Sequence, residues 1–245
     1  MVFAGMFSAL NKTPSNTFPI ATKSYDFRTA AVNSNNVTFT SGETGILSGS
    51  NSLDSTNGLN GTNSSIELTY FPRFTDKIFS FEILFTYNSL LTWGSLFDFA
   101  NGLGNNRNNI TLMMNNDSPN KRLNFIFCQA DTAAQSHNKI DFIFTEETEY
   151  HLVIIFDKNN NSNGGLTCYI DNSMVNFEPP SYPSTWTTLY NNNLSYFDLT
   201  YERTERKVGI SNWNAQSGAY IKYLNYYDRV LTASEVTRLY NNRDN

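Results

Sequence analysis

The segment Ile78–Tyr87 has the sequence IFSFEILFTY, and it decides the fold class of this 245-residue chain. Every second residue from Phe79 to Tyr87 is apolar or aromatic, whereas Ser80 and Glu82 fall on the opposite face. A period of two is typical of a β-strand that turns one face toward a core. The segment therefore predicts a long strand rather than a helix.

The same alternation recurs along the chain, and Asn, Gly, Asp and Ser, which close tight turns, separate its occurrences. The segments that share it are Ser65–Tyr70, Ile110–Met114, Leu123–Phe127, Ile140–Phe144, Leu166–Ile170, Leu194–Tyr201, Lys207–Ile210 and Tyr220–Tyr227. His151–Phe156 (HLVIIF) is apolar on both faces, which indicates a central strand covered on both sides. Asp171-Asn172 predicts a hairpin turn, and residues 1–20 and 41–63 are predicted to be rich in loops.

One helix is signalled near the C-terminus. Thr232 is a suitable N-cap, and Glu235, three residues later, completes a capping box. Leu231 and Val236 stand at the two positions of a hydrophobic staple. We predict a helix over Ala233–Tyr240.

Charge and composition exclude several classes of protein. The net charge is −5 and no block of Lys and Arg occurs, which argues against a nucleic-acid partner. No apolar run reaches the roughly 18 residues of a membrane span, so we expect no membrane insertion. Met1–Leu10 is apolar but has no basic region, so no secretory signal is predicted. Cys128 and Cys168 are predicted to be buried free thiols, with a single disulfide as the alternative.

Three groups of segments, in order, resemble the laminin-G-like, concanavalin A-like jelly-roll superfamily. They are Phe79–Phe85 with Trp93–Asn101 and Asn108–Leu112, then Tyr150–Phe156 with Leu166–Val175, then Val208–Asn212 with Tyr220–Tyr227 and Arg229–Tyr240. The resemblance implies a sandwich of two curved antiparallel sheets. We therefore predict an all-β, two-sheet antiparallel jelly-roll sandwich with one short C-terminal helix, formed by residues 21–245 after an N-terminal arm of residues 1–20.

Members of this superfamily include lectins, glycan-binding modules and glycosidases. Its catalytic members present their carboxylates from one strand as E-x-D-x-x-E or E-x-D-x-E, but Glu82 is followed by Leu84 at the Asp position. Glu146, Glu147 and Glu149 cluster in a loop-like stretch and are predicted to be solvated. We expect no enzyme, with a glycosidase as the least favoured alternative.

Many members of the superfamily hold one Ca²⁺ between an early Asp and a late Asp. Asn60 stands at the early position here, and Lys222 lies beside the late one. We expect no metal and no cofactor. The alternative is Ca²⁺ bound by isolated carboxylates, for which the candidates are Asp98, Asp157, Asp198 and Asp228. For His151, which matches a strand histidine of the superfamily, we predict a packed or hydrogen-bonded role.

The loop Ser211–Tyr220 (SNWNAQSGAY) has the chemistry of a glycan site, because an aromatic ring and amides stand together. The candidate ligand-binding residues are Trp213 with Asn212, Asn214 and Gln216, and secondly Trp186 with Tyr190. The alternative is that each aromatic ring caps the core at the end of a sheet. We predict that Trp93, which begins a strand-like segment, lies in the core.

Together these features predict a non-catalytic recognition or assembly module that binds a glycan or protein partner. Self-association within a larger particle, such as a virion surface or coat, is part of this prediction. A structural coat or scaffold subunit without a ligand is the alternative.

Overall fold

The computed structural model describes residues 18–49, 53–74, 78–89, 93–101, 108–117, 120–129, 134–160, 165–178, 199, 202–211 and 215–244. Within these residues the chain forms sixteen strands and one helix. The first eight strands are β1 (Lys23–Asp26), β2 (Ala31–Asn33), β3 (Asn36–Thr38), β4 (Thr44–Gly49), β5 (Leu59–Asn60), β6 (Ser64–Leu68), β7 (Ile78–Tyr87) and β8 (Ser95–Ala100). The others are β9 (Ile110–Asp117), β10 (Asn120–Gln129), β11 (Ala134–Lys139), β12 (Glu149–Asp157), β13 (Leu166–Ile170), β14 (Ser173–Val175), β15 (Glu205–Val208) and β16 (Ala219–Tyr227), and the helix is α1 (Ala233–Asn241).

The strands form two antiparallel sheets that pack face to face. The seven-stranded sheet has the order β1-β16-β7-β12-β13-β14, and β5 pairs with β16 beside that path. The nine-stranded sheet has the order β11-β10-β9-β8-β15-β6-β4-β3-β2. The predicted all-β, two-sheet antiparallel sandwich with a C-terminal helix is therefore confirmed.

The core between the sheets is rich in aromatic rings. Strand β7 places Phe79, Phe81 and Phe85 in this core, as its alternation predicts. The ring of Phe81 lies 4.9 Å from that of Phe97 on β8, so the two sheets meet through direct ring contacts. Burial of such side chains contributes about 1.5–3 kcal/mol each and supplies most of the driving force for folding.

Strand β12 is covered on both sides, as predicted. One of its faces belongs to the core between the sheets. Its other face, with Val153 and Ile155, packs beneath helix α1 against Val236 and Leu239. The seven-stranded sheet therefore lies between the core and the helix.

The helix begins where the capping box predicts. The Thr232 hydroxyl accepts a hydrogen bond from the Glu235 backbone N–H (3.3 Å), and the Glu235 carboxylate accepts one from the Thr232 backbone N–H (2.8 Å). Leu231 and Val236 are both buried, as a staple requires. The structure extends the predicted helix by one residue, to Asn241.

Residues 41–63 are rich in loops, as predicted, but they also contain β4 and β5; only Gly45 and Leu47 of β4 face the core, which leaves little apolar alternation to detect. One local prediction is wrong. Over Ile140–Phe144 no strand forms: Ile140 makes an isolated bridge, and Phe144 packs its ring 4.9 Å from that of Tyr150. The apolar alternation in this segment reflects the burial of its side chains and not pairing with another strand. The predicted strand Leu194–Tyr201 lies outside the described residues except at Leu199.

The hairpin prediction is confirmed, since Asp171 and Asn172 have φ of 48° and 65° between β13 and β14. The boundary of the predicted N-terminal arm stays a prediction, because residues 1–17 lie outside the described part of the chain. No helix in the described part is long and apolar enough to cross a membrane.

Candidate functional site

Of the residues predicted to bind a ligand, Gln216 lies within the described part of the chain. The others, which lie outside it, are Trp213, Asn212, Asn214, Trp186 and Tyr190. The structure nevertheless locates the loop that carries four of these six residues, because both ends of that loop are described.

The loop between β15 and β16 is closed by short-range hydrogen bonds. The Ser211 backbone N–H donates to the Ala215 carbonyl (2.9 Å), and the Ser211 hydroxyl accepts from the Ala215 N–H (3.1 Å). Ile210 and Gln216 form an isolated β-bridge. Gln216 is therefore fixed at one end of the sandwich, where loops are available for binding.

Trp93 lies in the turn just before β8 and is 48% exposed, so its predicted place in the core is wrong. Its backbone is left-handed, with a φ of 63°. For a bulky residue this conformation costs about 1–3 kcal/mol, and such strain concentrates at functional sites. The core residues of β8 begin with Leu96, which leaves Trp93 outside the core.

Gly94 brings Trp93 and Gln216 to the same end of the molecule. A Cβ atom on Gly94 would collide with the Gln216 carbonyl oxygen and with the backbone of Ser217. The two chain segments therefore touch backbone to backbone, which glycine alone permits at this point. We call Trp93, Gly94, Gln216 and Ser217 the Trp93 site.

A row of side chains on the outer face of the nine-stranded sheet starts beside the Trp93 site. The register aligns Ser95 with Met113, Met113 with Asn124, and Asn124 with Lys139. The Ser95 hydroxyl and both ends of the Asn124 amide are buried without a hydrogen-bond partner in the described part of the chain. An unmet buried polar group costs about 1–3 kcal/mol, so these groups lower the stability of the sheet.

Asp98 is the buried carboxylate of that same face. It accepts hydrogen bonds from the Thr111 hydroxyl (2.7 Å) and the Asn109 amide (3.1 Å). Burial, together with the nearby Asp98 charge, raises the pKa of Cys128 to about 12. Cys128 and Cys168 are free and buried, as predicted.

Glu82 is the buried carboxylate on the opposite outer face, beneath helix α1. Its Oε1 accepts from His151 Nε2 (2.8 Å) and the Tyr223 hydroxyl (3.0 Å), and its Oε2 accepts from Asn225 Nδ2 (2.9 Å) and the Tyr227 hydroxyl (2.6 Å). Burial acts to raise the Glu82 pKa, but the hydrogen bonds, led by that of His151, outweigh it and hold the pKa below its ordinary value. The hydrogen-bonded role predicted for His151 is confirmed.

Glu82 and Asp98 do not form a pair. The carboxylates of a glycosidase stand about 5–9 Å apart on either side of the scissile bond, whereas these two point away from opposite sides of the core. In the described residues no three His, Cys, Asp or Glu side chains come close enough to hold a metal ion. Asp198, one of the four candidate calcium ligands, lies outside those residues.

No protein-family model and no curated protein sequence matches the chain. The solved structure of Trypanosoma rangeli sialidase in complex with sialic acid is similar to it, with a TM-score of 0.58 and 12% identity over 90% of this chain. Domain 4 of AbnA, a GH43 extracellular arabinanase from Geobacillus stearothermophilus, in complex with arabinotriose, is similar with a TM-score of 0.57 and 19% identity over 89% of this chain. The match covers 32% of the sialidase and 97% of the arabinanase domain.

These likenesses, at such low identity, show the fold, and the fold is one found in enzymes that process glycans. They overturn the expectation of a non-catalytic recognition or assembly module and the expectation that the chain is no enzyme. A virion, coat or scaffold role finds no support among them. The laminin-G-like resemblance holds at the coarser level of a two-sheet antiparallel sandwich. Both solved structures hold a carbohydrate, which is consistent with glycan binding.

Sequence reasoning missed Trp93 and the full set of partners around Glu82. The signal for Trp93 was the Trp-Gly dipeptide, because glycine next to an aromatic residue marks a close backbone approach rather than a strand interior. The signal for Glu82 was a carboxylate in the middle of an apolar strand, which must find partners when buried.

Proposed function

We propose that this chain is the β-sandwich that holds the glycan in a glycan-processing enzyme, with one sugar ring stacked on Trp93. The observation that carries the proposal is the exposed, left-handed Trp93 beside Gln216. An aromatic face binds the apolar face of a sugar, and a nearby amide donates to and accepts from its hydroxyl groups.

The backbone of Trp93 supports a functional role for this residue. A strained backbone conformation persists only where the surrounding structure holds it in place. At Trp93, the close backbone contact of the next residue, Gly94, with Gln216 can hold it. If Trp93 served only to fill space, a residue that tolerates the left-handed region, such as Gly or Asn, would fit at lower cost. The strain instead turns a large ring toward solvent.

The comparisons support the glycan part of the proposal. The arabinanase domain, matched over nearly its whole length, was solved with arabinotriose. The resemblance of three groups of segments to the laminin-G-like superfamily agrees with it, since that superfamily includes lectins and glycosidases. Trp213, Asn212 and Asn214 belong to the same loop as Gln216 and stay predicted members of this site, and Trp186 with Tyr190 stays a second predicted site.

The test is a calorimetric titration of the protein with arabinotriose, a neutral glycan that carries no carboxylate. Trp93→Ala is expected to weaken the affinity for the bound glycan at least tenfold, which corresponds to about 1.4 kcal/mol. Tyr70→Ala is the matched control, because Tyr70 is 53% exposed. Tyr70 follows the C-terminal end of β6, whereas the loop after β15 lies near the N-terminal end of that strand.

Equal affinities in the wild type and in Trp93→Ala would overturn the proposed site. Absence of arabinotriose binding would overturn the proposed function. Unfolding curves of both variants establish that each is folded before the affinities are compared.

A further inference from the structure

A cavity of about 290 Å³ lies between helix α1 and the outer face of the seven-stranded sheet. This volume is near the lower end of the roughly 300–1,000 Å³ of small-molecule sites, which suits a ligand of one ring. We call it the helix-side pocket, and its walls include Phe18, Asp26, Arg28, Asn225, Tyr227 and Arg243. It is separate from the Trp93 site, whose residues do not line it.

The carboxylate of Glu82 forms the floor of the helix-side pocket, but its hydrogen-bonding capacity is already used. Each of its two oxygens accepts two hydrogen bonds from protein donors. A ligand in the pocket therefore meets the surrounding side chains rather than a free carboxylate. A cationic ligand has no unpaired anion to bind on this floor.

Arg28 presents a guanidinium group that is held in place before any ligand arrives. Its Nε and Nη2 donate to the two carboxylate oxygens of Asp26 (3.1 and 2.9 Å), and its guanidinium carbon lies 5.5 Å from the ring centroid of Tyr223. Nη1 has no hydrogen-bond partner among the described residues. A fixed guanidinium with free N–H groups is the preferred partner of a carboxylate.

Two further groups on the wall complete the chemistry of the pocket. Arg243 donates through Nη1 to the Tyr240 carbonyl (2.9 Å) and lies over the Tyr240 ring, which places a second guanidinium group on the wall. The Oδ1 atom of Asn225 is buried and has no hydrogen-bond partner among the described residues, whereas Nδ2 of the same amide donates to Glu82. The pocket thus presents two guanidinium groups and one neutral acceptor, together with the carboxylates of Asp26 and Glu82, which already accept hydrogen bonds from protein donors.

We propose that the helix-side pocket binds a monosaccharide unit that carries a carboxylate. The carboxylate accepts hydrogen bonds from the Arg28 and Arg243 guanidinium groups, and a sugar hydroxyl donates to Oδ1 of Asn225. Phe18 supplies an apolar wall for the ring. The sugar part of this inference rests on the proposed function, whereas the anionic part rests on the pocket alone.

The experiment titrates the full chain with glucuronic acid and, in parallel, with glucose. Glucuronic acid is expected to bind, and glucose at least tenfold more weakly, because glucose lacks the anion that the guanidinium groups recognise. Arg28→Lys keeps the charge beside Asp26 but loses the planar fork, and Arg243→Gln removes a charge at the end of the helix. Each is expected to weaken glucuronic acid binding about tenfold.

Arg73→Gln is the matched control, because Arg73 is 58% exposed, pairs with Glu202 and does not line the pocket. It is expected to leave the affinity unchanged. Unfolding curves measured for all three arginine variants establish that each is folded before the affinities are compared. Equal affinities for glucuronic acid and glucose, or unchanged affinity in both Arg28→Lys and Arg243→Gln, would overturn the inference.

Trp93→Ala separates this inference from the proposed function. The variant is expected to bind glucuronic acid as the wild type does, while its affinity for the longer glycan falls. If Trp93→Ala abolishes glucuronic acid binding, the acid binds at the Trp93 site, so the inference fails and the proposed function stands. If arabinotriose does not bind but glucuronic acid binds through the arginines, the proposed function fails and the anionic pocket stands.

Discussion

Replacing Glu82 by Gln tests how the outer face of the seven-stranded sheet is held together. The wild-type carboxylate accepts four hydrogen bonds, two on each oxygen, while it is 2% exposed. The amide keeps the shape but has one acceptor oxygen, and its NH₂ group then faces two donors. Two charge-assisted hydrogen bonds are lost, each of which contributes about 1.5–3 kcal/mol.

We therefore expect Glu82→Gln to lower the free energy of unfolding by about 3–5 kcal/mol. For a chain of this size the melting temperature should fall by roughly 10–15 °C. Chemical denaturation measures the free energy, and Glu202→Gln is the control because Glu202 is 58% exposed and pairs on the surface with Arg73. The control should lose less than about 1 kcal/mol. A loss below about 1 kcal/mol in Glu82→Gln itself would show that the hydrogen bonds to this carboxylate do not hold the face together.

The same carboxylate predicts the direction of the pH dependence. Its pKa is lower in the folded protein than in the unfolded chain, so the folded state binds this proton less readily. The stability that Glu82 contributes is fully present above the unfolded pKa of about 4.3 and is lost as the pH falls through the folded pKa. The wild type should therefore lose more stability than Glu82→Gln between neutral and acidic pH. Parallel pH profiles would contradict this assignment.

Three further outcomes follow from the structure. Gly94→Ala should destabilise the fold by about 2–3 kcal/mol, seen in urea unfolding, because the new Cβ meets the Gln216 carbonyl; an unchanged midpoint would exclude that contact. Cys128 should resist iodoacetamide at pH 8 in the folded protein and react after denaturation, since burial and Asp98 raise its pKa to about 12; rapid labelling of the folded protein would argue against its burial. Thr232→Ala should cost about 1 kcal/mol in thermal unfolding, because the cap of helix α1 is lost; a loss near zero would show that the cap is dispensable.

The sheets and the helix could be predicted because their signals are local. The alternation in β7 and the apolar run in β12 each indicate which faces of the strand are buried. The Thr232–Glu235 capping box indicates where the helix begins. Strand β4 escaped prediction since only two of its six residues face the core. Which strands pair, and in what order, depends on contacts between distant segments that a local pattern does not report.

The candidate site could be predicted only in part. The loop around Gln216 was found from its amides and aromatic ring, but Trp93 was placed in the core because strand-like residues follow it. Its exposure depends on the contact of Gly94 with Gln216, which lies far along the chain. The setting of Glu82 likewise depends on the register that brings β12 and β16 beside β7. Contacts of this kind are set by the fold, not by neighbours in sequence.

Stacking of a glycan on Trp93 can be observed directly through the indole N–H signal of Trp93 in the NMR spectrum of a ¹⁵N-labelled sample. Trp93→Phe assigns that signal by removing it from the three Trp signals of the chain. On titration with arabinotriose, the Trp93 signal should shift progressively and saturate with the affinity found by calorimetry. A glycan that binds while the Trp93 signal stays in place would contradict the account.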